Sequence, residues 1–363
     1  MQNRRAVDAE AKFKDPPSIM GSQFTETDIE DAKANCRILS VSLLLSNACN
    51  LKCVYCYRDA GALSNDLLSI NEWRDVLLQA KSLGARTVRI PGSGEPLLDP
   101  AFYNGYSLPL IEFSNSIGLS VTFFTNGTLL TSELAVILRN YDVCVVTKLN
   151  SFRPEIQDEL AGVRGASERI MRGLEFLIKA GFARESPTRL GIDTVIVSDN
   201  YDEIPKLFLY CRERNIVPYI TVNLHGGRAR TNTKLDVPRQ WLRSLFEHLL
   251  TIDRTKFGFE WFPSPPIVAD QCNRLLYDIV IDYKGNVLVC PGIEHVIGNI
   301  RNNSLSQILK SSPFLSRVRR MPDSLKGKCR TCSSKKCIYG CRLEAWSHGD
   351  FFGPDPMCWY EGD

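Results

Sequence analysis

Residues 49–57 read Cys49-Asn50-Leu51-Lys52-Cys53-Val54-Tyr55-Cys56-Tyr57, just after an apolar run from Ile38 to Leu45. A run of that length, ended by Ser46-Asn47, predicts a buried strand that empties into a loop. Three thiolates on one short loop can hold three irons of a [4Fe–4S] cluster. The fourth iron is then left without a protein ligand, whereas an electron-transfer cluster usually has four cysteines. The competing chemistry is zinc, which normally takes a fourth Cys or His nearby. No such residue lies within this loop.

Downstream, strand-like and helix-like patterns alternate. Strands are expected at Thr87–Ile90, Ser120–Phe124, Val143–Thr147, Leu190–Val197 and Val217–Leu224. Between them, Ser69-x-x-Glu72 is a capping box opening a helix that Gly84 closes. Further helices are expected over Phe102–Ile117, from a Thr131 cap to about Leu138, from a Ser167 cap to Gly181, and over Glu203–Arg212. Six strands alternating with helices imply parallel βαβ units with right-handed connections. Ligand sites in such sheets lie beyond the carboxyl ends of the strands, and the cysteine loop follows strand one.

Cys-x3-Cys-x2-Cys with an aromatic, Tyr55, before the last cysteine resembles the signature of the radical SAM superfamily. That resemblance implies an α/β fold with a partial (β/α)6 TIM-like barrel. It makes Cys49, Cys53 and Cys56 the ligands of a catalytic cluster whose open iron chelates S-adenosylmethionine. The reduced cluster would cleave that cofactor to methionine and a 5′-deoxyadenosyl radical. The other strand ends supply expected cofactor contacts. Ser93-Gly94-Glu95, within Pro91 to Pro96, is similar to the family's Gly-Gly-Glu motif with Ser replacing the first Gly. Glycine lets a backbone approach closely, and a Glu can accept from the ammonium group. Thr125-Asn126-Gly127 resembles the Thr-Asn-Gly often found after strand three. Lys148 stands where a ribose-contacting Ser is common, with Asn150 as a substitute. The stretch 157–162 resembles a family segment with Arg at the place of Ala161, for which Arg164 is the stand-in or a solvated surface residue. After strand six, Arg228 and Arg230 are either a carboxylate or phosphate clamp or a solvated basic turn.

The C-terminal part repeats the cysteine theme. Cys272-x12-Gly285-x4-Cys290 is followed by Cys329-x2-Cys332-x4-Cys337-x3-Cys341 and then Cys358. Tyr277–Asp282 and Val287–Val289 flank Tyr283-Lys284-Gly285-Asn286, a hairpin signal. This pattern resembles the SPASM extension of radical SAM enzymes, with its two auxiliary [4Fe–4S] clusters. By that resemblance Cys272, Cys290 and Cys341 hold one, and Cys329, Cys332, Cys337 and Cys358 hold the other, three clusters in all. Two zinc sites are the competing reading. Some members place a fourth ligand six residues after the first cysteine, where this chain has Asp278. Asp278 is expected to be solvated at a hairpin edge, which leaves that iron open, rather than to ligate through a carboxylate oxygen. The implied division is an extension at 1–37, a barrel at 38–230, a connector at 231–270 with a helix over Arg239–Leu250, and a SPASM domain at 271–363. Thr27 to Lys33 within the extension reads as a short helix.

Composition limits the function classes. The 363 residues carry a formal net charge of +3, from 44 basic and 41 acidic side chains. That balance argues for neither a nucleic-acid nor a membrane-surface partner. The stretch from Met1 to Phe13 is polar and has no secretory h-region. Thirteen cysteines without a secretion signal point to a reducing, cytoplasmic setting. The resemblance further implies a flavodoxin- or ferredoxin-type reductant. A compact polar small molecule, oxidised or epimerised, is the expected substrate. A peptide is the alternative, although only some 36 residues precede the barrel, too few for a leader-binding domain. Pro291 follows Cys290 where sulfatase-maturing members have Asp, which counts against that activity. A zinc-bound scaffold without catalysis is the remaining alternative.

Overall fold

A computed structural model describes residues 13–61, 64, 66–98, 106–332, 337 and 339–360. Thr25 opens α1 (Glu26–Ala34) through a capping box with Asp28. The chain then runs through β1 (Ser40–Leu44), α2 (Ile70–Ser82), β2 (Thr87–Ile90), α3 (Ser107–Ser116) and β3 (Ser120–Thr125). It continues through α4 (Ser132–Asn140), β4 (Cys144–Lys148), α5 (Pro154–Ala161), α6 (Ala166–Lys179), β5 (Leu190–Ile196), α7 (Ile204–Glu213) and β6 (Val217–Val222). All six strands are parallel, in the order β6-β5-β4-β3-β2-β1. Helices cover the outer face, so β1 is buried along its whole length, as parallel sheets require. The Ser69–Glu72 capping box and the Thr131 cap both form. The start of the helix expected from Phe102 lies outside the described residues.

One expectation needs correction. Ser167 does not cap α6, whose N-cap is Gly165 in a left-handed conformation. The Asp158 side chain, from α5, accepts from the Gly165 and Ser167 backbone N–H groups instead. The N-terminal segment has no sequence pattern, yet it packs across one end of the barrel. Ile19 is wholly buried against Cys144, Val146, Val217 and Tyr219. Met20 N–H donates to Thr188 O at 2.9 Å, and the Thr87 hydroxyl donates to Gly21 O.

Past β6 come α8 (Arg239–Ile252) and the strands β7 (Asp278–Asp282), β8 (Asn286–Leu288) and β9 (Val296–Asn299). The expected hairpin is β7–β8, but it does not stand apart. β7 lies parallel to β1, in register from Ser40↔Asp278 to Leu44↔Asp282. One nine-stranded sheet therefore crosses the connector, in the order β6-β5-β4-β3-β2-β1-β7-β8-β9. The free edge of β6 is blunted by the Pro266–Val268 segment. Val222 N–H donates to Pro266 O at 2.9 Å and Val268 N–H to Ile220 O at 2.8 Å, which removes bare sheet edge. Short helices follow: α9 (Leu305–Ser311), α10 (Pro313–Arg319), α11 (Met321–Ser324), α12 (Lys328–Thr331) and α13 (Arg342–Ser347). Among the described residues no helix is long and apolar enough to cross a membrane.

α13 is tied back to the barrel by His225, in the loop after β6. Its ring Nδ1 lies 2.7 Å from the buried Glu344 carboxylate and its Nε2 3.0 Å from Asp236. Its backbone N–H donates to Glu344 at 2.7 Å, and its carbonyl accepts from Ser347. The hydrogen bond to Glu344 raises the imidazole pKa to about 9, against the cost of partial burial. A raised folded-state pKa contributes stability that is complete below the unfolded value of about 6.5 and lost as pH rises through the folded one. Anaerobic urea titrations should therefore show stability falling by on the order of 2 kcal/mol between about pH 6.5 and pH 9. His225→Gln should flatten that slope; an unchanged slope would show that His225 does not carry it.

Candidate active site

The loop at residues 49–57 has no regular structure, so neighbouring elements must satisfy its peptide groups. Three of them do. From the β2 side, Glu95 N–H donates to Ala48 O at 2.7 Å and the Ser93 hydroxyl donates to Ser46 O. From α5, Ala161 O accepts from Lys52 N–H at 3.0 Å and Leu160 O from Val54 N–H at 3.1 Å. From the β6 side, Arg228 N–H donates to Cys56 O at 2.9 Å and its Nε to Cys53 O at 3.1 Å. Its guanidinium also reaches Ala60 O and Asp59. Arg228 is thus no ligand clamp but a strut for the loop, and Arg230 is exposed. The approach is close enough to exclude side chains. A Cβ on Gly94 would lie 1.9 Å from Ala48 O, and one on Gly226 would lie 2.7 Å from Tyr57 O.

One cavity of about 320 Å³ opens inside the barrel against this loop. Cys49, Cys53, Cys56, Tyr55, Ser93, Gly94, Glu95, Thr125, Asn126 and Lys148 all line it. Glu95 is buried and accepts from Thr125 Oγ1 at 2.7 Å, Asn126 N–H at 2.6 Å and Leu97 N–H at 3.0 Å. Burial pushes its carboxyl up to about 7 against these donors. Asn126 in turn donates to Asn50 of the loop at 2.8 Å. Lys148 is paired with Asp193 at 2.7 Å and sits over the Tyr55 ring. Asn150 is wholly buried. Its amide donates to the Tyr55 hydroxyl at 2.6 Å and accepts from Val195 N–H, so it orients Tyr55 behind the cavity wall. Arg164 is exposed and away from the cavity.

The distant cysteines reach the same place. Cys272, Cys290 and Cys341 line the cavity too, and Cys272 interacts electrostatically with both of the others. Cys329, Cys337 and Cys358 form a second, separate group through mutual interactions. Cys332 ends α12, three residues after Cys329. Burial pushes the Cys49 and Cys290 thiols up to about 12 and Cys337 to about 11, and it raises the Cys341 thiol well above its ordinary value. Left alone these sulfurs stay protonated; bound iron would hold them as thiolates. This all-sulfur donor set fits [4Fe–4S] clusters held at Cys49, Cys53 and Cys56 and at the C-terminal groups. Among the described residues no three Cys, His, Asp or Glu side chains converge on one ion. A cubane does not need that, because each cysteine binds a different iron.

Asp278 departs from its expected solvated position. β7 is flanked by β1 and β8, so Asp278 is only 5% exposed, and its two oxygens accept from Ser40 and Ser42 at 2.7 Å each. Beyond the expected residues, the cavity gains Arg58, Arg89, Arg274 and Asp193. Arg58 donates to Pro291 O at 2.6 Å, linking the loop to the turn after Cys290. Arg89 is legible only as the polar member of an alternating strand; nothing marks Arg58 or Arg274 in the sequence.

A parallel partial barrel with a three-cysteine loop at its mouth and a cysteine-rich extension on β1 defines a class of enzymes that use S-adenosylmethionine and iron–sulfur clusters. The radical SAM superfamily model matches residues 43–211, and the SPASM iron–sulfur cluster-binding domain matches residues 272–333. The chain is a radical SAM enzyme with a C-terminal SPASM domain. It is 27% identical to an AdoMet-dependent heme synthase of Methanosarcina barkeri, over 87% of this chain and 95% of that one. To the mycofactocin maturase MftC of Mycolicibacterium smegmatis it is 28% identical, over 86% of this chain and 81% of that one. Its fold is similar to that of Streptococcus suis SuiB bound to precursor peptide SuiA, with a TM-score of 0.69 and 20% identity over 91% of this chain and 79% of that one. A family of enzymes sets aside the non-catalytic zinc scaffold.

Gly94→Ala tests the packing of the loop. The added methyl group cannot fit against Ala48 O, so the loop must shift. Anaerobically reconstituted variant should carry about four fewer irons per chain than wild type, the content of one cubane. Wild-type iron content with full S-adenosylmethionine cleavage would show that the contact does not hold the loop.

Proposed function

We propose that this protein oxidises or epimerises a compact polar substrate held in the barrel cavity. The observation that carries this reading is that both Cys49, Cys53 and Cys56 and Cys272, Cys290 and Cys341 line one cavity of about 320 Å³. The clusters and S-adenosylmethionine, when bound, supply a 5′-deoxyadenosyl radical that takes hydrogen from an unactivated C–H, and a route for an electron out of the substrate. The chain's own residues do the rest. Cys49, Cys53 and Cys56 hold the catalytic cluster. Ser93-Gly94-Glu95 and Thr125-Asn126 receive the methionyl end of S-adenosylmethionine, and Lys148 and Tyr55 border its far end. Cys272, Cys290 and Cys341 hold one auxiliary cluster, and Cys329, Cys332, Cys337 and Cys358 hold the other. Ser40 and Ser42 engage both oxygens of Asp278, which favours an open iron at the first auxiliary cluster over a carboxylate ligand. A flavodoxin- or ferredoxin-type protein is the electron donor. Burial of the cavity walls excludes water that would quench a substrate radical. The likeness to a mycofactocin maturase favours a second reading, in which the substrate is a segment of peptide.

Cys49, Cys53 and Cys56 replaced together by Ala should abolish 5′-deoxyadenosine formation under dithionite. Iron should fall from about twelve to about eight per chain, three cubanes to two. Residual 5′-deoxyadenosine in the triple variant would contradict the assignment of the catalytic cluster. About four irons in wild type, with zinc making up the rest, would contradict the auxiliary ones.

A further inference from the structure

We infer that the inner end of the cavity is a carboxylate site, in which Arg89 and Arg274 anchor an anionic group of the substrate with its reacting C–H turned toward the cysteine loop. This rests on the proposed function and names the class of substrate. Arg89 lies on β2 between Val88 and Ile90, which pack into the core. Strand alternation turns it the other way, into the barrel, and it lines the cavity. Its Nε is buried without a partner. Its guanidinium lies over the face of Phe124, 5.4 Å away. An unsatisfied buried guanidinium is costly, so it marks a place where a ligand completes the hydrogen bonding. Arg274 lines the same cavity, and its ion pair with Asp270 is long, at 3.8 Å.

The surroundings fix the charge of that ligand. Asp278 is the acid beside the two arginines, and both its oxygens already accept from Ser40 and Ser42. The other cavity acids are committed, Asp193 to Lys148 and Glu95 to Thr125 and Asn126. Arg274 faces Asp270 at 3.8 Å and Asp278 is committed to the two serines, so the Arg89 guanidinium is the positive charge left without an anion bonded to it. A monoanionic carboxylate balances it and matches the guanidinium fork; a phosphate dianion overshoots. The Tyr219 ring edges onto Phe124 at 6.0 Å, and Gly191 leaves room for it, since a Cβ there would lie 2.9 Å from the ring. The aromatic pair holds Arg89 in place.

The test uses reconstituted holoenzyme without reductant, saturated with S-adenosylmethionine so that the cofactor's own carboxylate site is filled. Calorimetric titration with benzoate should show saturable binding, and the isosteric benzamide should bind about tenfold or more weakly. Arg89→Gln should weaken benzoate by a similar factor, and Arg89→Lys should restore part of the loss. Equal binding of benzoate and benzamide, or benzoate binding unchanged in Arg89→Gln, overturns the site. Tighter Arg89-dependent binding of inorganic phosphate overturns its assignment to carboxylates. Arg274→Gln should also weaken benzoate; if it alters only the auxiliary-cluster spectrum, Arg274 serves the cluster and the two-arginine site is wrong. A separate dithionite assay on wild type guards the reading beneath. Without 5′-deoxyadenosine the proposed function fails, whereas with it, absent benzoate binding sinks only the carboxylate site.

Discussion

The structure depends on holding nine irregular residues still. The loop at 49–57 carries three sulfurs that line one cavity, yet it has no helix or strand to fix them. Its rigidity comes from backbone hydrogen bonds donated or accepted by three separate elements: the turn after β2, the end of α5, and the turn after β6. Each makes its contact at a distance that excludes a side chain, at Gly94, at Gly162 and at Gly226. A buried peptide group left unpaired is costly. The parallel sheet sets the positions of these turns, all beyond the carboxyl ends of their strands. The barrel is therefore the scaffold that satisfies this loop.

The same economy of position explains the C-terminal extension. Because β7 adds to β1 in parallel register, it leaves at the same end of the sheet as β1 does. β8 runs back antiparallel to β7, and Cys290 after it lines one cavity with the cysteine loop after β1. Ser40 and Ser42 on β1 reach across to Asp278 on β7, so the junction is hydrogen-bonded through side chains as well as backbone. His225 and Glu344 fasten the far side.

Much of the site was readable one residue at a time. The cysteine spacings that resemble cluster-binding motifs are local, and the strand–helix alternation follows from apolar periodicity. All six barrel strands and the hairpin appear near their expected bounds. What eluded the linear reading were residues whose role depends on a distant partner. Arg228 looked like either a ligand clamp or a solvated turn because a basic turn at a strand end has those meanings in isolation; its side-chain acceptors include carbonyls 168 to 175 residues away. Asn150 looked like a cofactor contact because it stands at a strand end; Tyr55 and Val195 claim its amide.

Sequence by itself determined the chemistry here, because thiolate spacing, glycines at close approaches and helix caps are local requirements with local signatures. It also determined the order of elements, since periodicity of 2 or 3.6 needs no knowledge of neighbours. Only the tertiary structure decided which strand borders β1, why Asp278 is buried, that Ile19 seals the barrel, and that Arg89 stands unpaired within it. Those outcomes are set by register between strands some 240 residues apart and by packing of a segment with no pattern of its own. No local rule encodes them, because the energy that selects them is burial and hydrogen bonding between groups that meet only once the sheet is assembled.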